Sequence, residues 1–163
     1  MGKVKRIGAV ILSLAAVPAM MWVASASAAD VAVTANVPAS IQLSTPDPVT
    51  LTAVLETTVT ETTTADVKAN KTWQVTVQAD QDLTGPGVIP NANLTYDSSD
   101  SRSLGTGVSD QTFSDSSTTS VISAATKTGG QGDEIQMDYK LYTDFDDDQG
   151  AYTATHTYTL STI

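Results

Sequence analysis

The sequence predicts an all-β protein: a single antiparallel β-sandwich of immunoglobulin-like, Greek-key type, preceded by a cleavable helical signal peptide. Three observations predict it. After Asp30 the chain is crowded with Thr, Val, Ser and Ala and poor in Leu. β-Branched residues favour strands, where their stiff side chains pack on a pleated surface. In the same region apolar residues recur at every second position, and a helical period is hard to find. Gly, Pro and Ser/Asp clusters cut this pattern into about seven to nine short runs, the cadence of a two-layer antiparallel domain.

The N-terminus is the exception to the β pattern. Lys3, Lys5 and Arg6 precede an apolar run from Ile7 to Val23, and small residues from Ala24 to Ala29 lead to Asp30. A basic head, an apolar stretch and an A-x-A site form a secretory signal. Cleavage is expected after Ala28, with Ala29 nearly as good, giving a signal over 1–28 and a β domain over 29–163. The apolar run is short for a bilayer, which needs about 20 residues. No Cys follows it, which excludes a lipid anchored on cysteine.

The strands are read in chain order from their alternation. Val31, Val33, Ala35 and Val37 share one face of a run that Pro38 ends. Ile41 and Leu43 form a short strand before the turn Pro46-Asp47-Pro48. Val49, Leu51, Ala53, Leu55 and Val59 hold one parity of a long strand, and a weaker one runs near Thr62 to Ala69. Trp73, Val75, Val77 and Ala79 alternate with Thr72, Gln74, Thr76 and Gln78. Further strands are expected over Asn93 to Tyr96 and near Thr118 to Ala124. Ile135, Met137, Tyr139 and Leu141 oppose Gln136, Asp138 and Lys140. In the last strand Tyr152, Ala154, His156, Tyr158 and Leu160 oppose Thr153, Thr155, Thr157 and Thr159, a half-buried strand with a hydroxyl-covered outer face. Loops are expected at Gly85–Gly87, through the Ser/Asp/Gly stretch between Tyr96 and Ser117, at Gly129–Gly132, and from Asp144 to Gly150.

Composition narrows the function. With Lys3, Lys5 and Arg6 removed, five basic residues face eighteen acidic ones, a balance of −13. Nucleic acid and anionic membrane are poor partners for such a field, and no second apolar segment is long enough to span a bilayer. The chain has no Cys, so neither disulfides nor thiolate-ligated cofactors are available to it.

Two segments carry a family resemblance. One is Val67–Val77, a strand–turn–strand with Trp73 leading the second strand; the other is the terminal Gly150–Leu160, reading G-A-Y-T-A-T-H-T-Y-T-L. Together the chain resembles the WxL-type surface domains of bacteria. Its motifs are altered: Trp73-Gln74-Val75 has Val for Leu, and Tyr158-Thr159-Leu160 has Tyr for Trp. The resemblance implies a secreted β-rich surface domain with non-covalent attachment to the cell wall, and Trp73, Val75, Tyr158 and Leu160 as its binding residues. Read from its own surroundings, Trp73 is a core plug between sheets.

The remaining chemistry is sparse. Asp144, Asp146 and Asp148 alternate in a loop, and carboxylates so spaced can converge on Ca²⁺. Gly150 comes one residue late for a helix–loop–helix calcium loop and Thr155 stands where a bidentate carboxylate belongs, so the alternatives are a hairpin-loop calcium site and a solvated acidic turn. His156 is the sole His. With no second His and no Cys, a transition-metal site is not expected. No G-x-S-x-G elbow or Gly-rich phosphate loop occurs, so no enzymatic activity is expected. Asn70-Lys71-Thr72 and Asn93-Leu94-Thr95 match the glycosylation sequon.

The expected function is a secreted, non-enzymatic structural or adhesion protein at the cell surface, with a cell-wall polymer or other surface proteins as partners. Two alternatives stand beside it. One is a fibre subunit that self-assembles by N-terminal strand addition; the other is a carbohydrate- or calcium-binding module.

Overall fold

Alternation with period two builds ten strands in the computed structural model, which describes residue 32 and residues 34–163. They are β1 (Ile41–Leu43), β2 (Thr57–Ala69), β3 (Trp73–Ala79), β4 (Leu83–Thr84), β5 (Val88–Ile89), β6 (Leu94–Asp100), β7 (Gln111–Thr112), β8 (Thr119–Ala125), β9 (Asp133–Thr143) and β10 (His156–Thr162). A single 3₁₀ turn, Asn91–Asn93, leads into β6. The fold is all-β and every strand pair is antiparallel. A five-stranded sheet, ordered β1-β2-β9-β6-β7, curls into a half-barrel. A three-stranded sheet, ordered β10-β3-β8, carries the other long strands, and β4-β5 form a small hairpin. Among the described residues no helix is long and apolar enough to cross a membrane.

One apolar cluster draws on both larger sheets. Val67 of β2, Trp73, Val75 and Val77 of β3, Val121 and Ile122 of β8, and Ile135 and Met137 of β9 are all fully enclosed. The parities read from sequence hold in β3 and β9, where each odd-numbered residue is buried. β8 departs from strict alternation: Val121 and Ile122 are consecutive and both buried. A register shift between β3 and β8 accounts for this, because a bulge turns two successive side chains to one face.

Several expected elements are redrawn. The signal peptide, the cleavage site, and Val31 and Val33 of the first expected strand lie outside the described residues. Residues 34–40 belong to no strand and are exposed. The long strand expected over Val49–Val59 is not formed: residues 44–53 are irregular, and β2 begins only at Thr57. Pro46 and Pro48 have no N–H to give a ladder, and Glu56 turns left-handed at φ 54°. The weaker strand expected at Thr62–Ala69 is the buried half of β2, the longest strand. It pairs with β9 from Thr57↔Thr143 to Val67↔Asp133. The last strand starts at His156, not Tyr152; Thr153 instead bridges to Thr84. β4, β5 and β7 fall in stretches read as loop.

Candidate functional site

The irregular 44–53 segment matters because of where its prolines hold it. Thr63 is buried on β2 and its hydroxyl donates to the Asp47 carbonyl at 2.9 Å, which fixes the Pro46–Pro48 turn over the sheet. Opposite lies the approach to β10, residues 152–158. Between them opens a cleft of about 380 Å³. Val49, Leu51, Leu83 and Leu94 line it with apolar surface, and Tyr139, Tyr152, His156 and Tyr158 supply its polar groups.

Tyr139 of β9 and Tyr158 of β10 come from different sheets, and their hydroxyls meet at 2.5 Å. Tyr139 Oη also lies 3.0 Å from His156 Nδ1. Phe113 covers the imidazole, with ring centroids 4.0 Å apart, and packs on Tyr139 at 5.1 Å and Tyr96 at 4.6 Å. Enclosure sets the protonation of this chain of groups. Burial drives the Tyr139 hydroxyl up to about 12, partly offset by its bond to Tyr158. Burial also raises Tyr158, with neighbouring Tyr139 adding to the effect. His156 is pushed down to about 4 by burial, against a weaker upward pull from Asp80. At neutral pH all three groups are therefore uncharged. Among the described residues His156 Nε2 is buried without a hydrogen-bond partner.

The residues singled out by the family resemblance divide. Trp73 and Val75 are fully enclosed, and the Trp73 indole N–H donates to the Thr126 carbonyl at 2.7 Å. Neither side chain is open to a ligand. Leu160 is half-buried against the core, while Tyr158 lines the cleft. The two motif strands are direct neighbours: Leu160 stands opposite Val75, and Thr162 opposite Trp73. Since the apolar parity of both strands turns inward, their other parity forms one outer face. It presents Gln74, Thr76 and Gln78 beside Thr157, Thr159 and Ser161.

The acidic loop is occupied with its own turn. Asp144 Oδ1 accepts the Asp146 N–H at 2.9 Å, and Asp147 Oδ2 accepts the Asp144 N–H at 3.0 Å. The Asp148 carbonyl accepts the Tyr152 hydroxyl at 2.7 Å. Among the described residues no three His, Asp or Glu side chains are grouped to hold a metal ion, so Asp144, Asp146 and Asp148 are not brought together on one. The first sequon is also engaged. Asn70 donates from Nδ2 to the Pro38 carbonyl and accepts from the Ser40 N–H, both at 2.8 Å.

Phe113, Tyr96 and the cleft itself were not read from sequence. Phe113 is the one large aromatic in a polar stretch between Asp97 and Ser117, and that isolation was the available signal. Comparison with known protein families and with curated proteins returns no match.

Proposed function

We propose that the chain is an exported, non-enzymatic surface protein whose β domain has a structural or adhesive role, held non-covalently to a cell-wall polymer. The domain is read as a single immunoglobulin-like β-sandwich of Greek-key type, with the shared apolar cluster as its filling. The observation that carries the functional reading is the pairing of β3 with β10 into one outer face of Gln, Thr and Ser. That face is uncharged and dense in hydroxyl and amide groups, which suits the hydroxyls of a neutral polysaccharide. Trp73 and Val75 then act from beneath, by holding the two strands in register. A non-catalytic role is favoured by the state of the cleft: Tyr139 bonds both His156 and Tyr158, and all three remain uncharged at neutral pH, so none is poised to exchange a proton near pH 7.

The test is fractionation of the producing cells together with a pull-down on purified wall polymer. The expected result is retention in the surface fraction and on the polymer. Thr157→Asp combined with Thr159→Asp is expected to abolish retention without unfolding, because both side chains are exposed. Retention unchanged by the double substitution would remove this face from the account.

A further inference from the structure

Asp47–Pro48 is the one Asp-Pro bond in the chain. Such a bond differs chemically from other peptide bonds. Proline has no N–H, so its nitrogen cannot attack the aspartate side chain, the usual route by which an Asp-X bond rearranges. Attack by the side-chain carboxylate on its own main-chain carbonyl carbon stays available, and it closes a five-membered ring. The X-Pro bond is a tertiary amide, so the nitrogen it releases is a secondary amine, more basic than the primary amine of other residues.

The fold gives this bond a hydrogen-bond donor. Thr63 is 5 % exposed, and its hydroxyl donates to the Asp47 carbonyl oxygen at 2.9 Å. That oxygen is the atom on which negative charge develops when the carbonyl carbon is attacked. A donor at about 2.7–3.1 Å from such an oxygen is the geometry that stabilises an oxyanion. Shielding the donor from bulk water strengthens its effect. Asp47 and Pro48 themselves are exposed and border the cleft, so water reaches the bond.

Both flanks of the bond are pinned, which keeps the carbonyl aimed at its donor. Before it, β1 pairs with β2 from Ile41↔Ala69 to Leu43↔Val67. The Ser44 N–H then donates to the Asp66 carbonyl at 2.9 Å, and the Asp66 N–H donates to Ser44 Oγ at 2.7 Å. After it, Val49 and Leu51 pack against the apolar core. Preorganisation of this kind makes a single donor effective, because nothing has to rearrange at the moment of reaction.

We propose that the chain cuts itself between Asp47 and Pro48, with the Asp47 carboxylate as nucleophile and the buried Thr63 hydroxyl stabilising the charge on the carbonyl oxygen. A carboxylate oxygen of Asp47 bonds to the Asp47 carbonyl carbon, and the bond from that carbon to the Pro48 nitrogen breaks. The nitrogen takes a proton from the acidic solvent and becomes a new N-terminal amine. The cyclic anhydride left on Asp47 is opened by water, giving a C-terminal aspartate. The net reaction consumes one water, and nothing is oxidised or reduced. The chain acts on itself once and turns over no second substrate, so the step is independent of the surface role proposed above. The cut falls in one wall of the cleft: residues 41–44 stay bonded to β2, while Val49 and Leu51 lose their covalent tie to them.

The test is incubation of the full-length chain at pH 5, folded in one arm and unfolded in concentrated urea in the other. Fragments are read by mass spectrometry after denaturation. One fragment ending at Asp47 and one beginning at Pro48 are expected, their masses summing to the chain plus one water. They should form at least tenfold faster from the folded chain than in urea, the effect of a preorganised donor. Thr63→Val keeps the side-chain shape and loses the hydroxyl, and is expected to fall to the rate seen in urea. Thr63→Ser keeps the donor and should keep most of the rate, and Asp47→Ala should stay whole. A folded wild type that stays whole, or is cut no faster than the unfolded chain, overturns the proposal without recourse to any variant. A folded Thr63→Val that matches the wild type, a Thr63→Ser as slow as Thr63→Val, or an Asp47→Ala cut at the same bond would each overturn it as well.

Discussion

His156 shows how one residue's surroundings become a property of the protein. It sits on the apolar parity of β10, roofed by Phe113 and bonded to Tyr139. Burial holds its pKa at about 4 in the fold, below the ordinary 6.5. Between those values the unfolded chain binds a proton that the folded chain refuses, so stability falls as pH drops from 6.5 towards 4 and this contribution levels off below 4. The limiting slope for one group is about 1.4 kcal/mol per pH unit. Asp133 titrates with the opposite sign, its carboxyl raised by burial and by nearby Asp100. The clean measurement is therefore a difference: urea unfolding of the wild type and His156→Gln between pH 7 and 4, with the variant expected to lose most of the acid slope. Trp73 makes a second residue-scale case. It is fully enclosed, so Trp73→Ala is expected to cost about 3–5 kcal/mol. Trp73→Phe keeps most of the packing and loses the 2.7 Å bond to Thr126, a loss of roughly 1–2 kcal/mol. Polymer retention by folded Trp73→Phe should match the wild type; a selective loss of retention would restore Trp73 as a ligand contact.

At the scale of elements, legibility followed the number of buried faces. β3 and β9 carry apolar side chains at every second position with polar ones between them, and both were readable to within a residue or two at either end. The segment 49–55 has the same alternation and is no strand, because its neighbours Pro46 and Pro48 and the left-handed Glu56 deny it a ladder. Alternation records what a segment is able to bury, whereas pairing depends on distant partners. The cleft was illegible for that reason: Tyr139 and His156 are seventeen residues apart and belong to different sheets. Loops obey the same rule of contact. Gly107 lies in a stretch read as a loop, yet a Cβ there would stand 1.9 Å from the Ser98 carbonyl oxygen. The adjacent Val108 carbonyl accepts the Ser98 N–H at 2.9 Å. Glycine is required by this backbone approach, and Gly107→Ala is expected to lower stability by more than about 1 kcal/mol, checked by thermal unfolding. The Asp144–Gly150 turn leads to the opposite expectation. Its carboxylates already cap its own N–H groups, and equal melting temperatures in chelator and in millimolar Ca²⁺ are expected; a rise with Ca²⁺ would demonstrate a bound ion by linkage.

The charge of the whole molecule sets the conditions under which these features operate. Five basic residues against eighteen acidic ones remain once the proposed signal is removed, and such an excess destabilises a compact state through self-repulsion. The described residues answer it in one place, where Lys140 lies 2.6 Å from Asp97 and 2.7 Å from Asp110. Both carboxylates and the ammonium are at the surface, so salt weakens these pairs while it screens the general repulsion. The repulsion involves many more charges and has the longer reach. Raising NaCl from about 0.1 to 1 M shortens the Debye length from roughly 10 to 3 Å, and the melting temperature should rise. Lys140→Gln isolates the opposing contribution: it should lower the melting temperature in dilute buffer and have little effect in 1 M NaCl. A melting temperature that falls steadily with salt would mean that local pairs such as Lys140 with Asp97 and Asp110, rather than net charge, govern the fold.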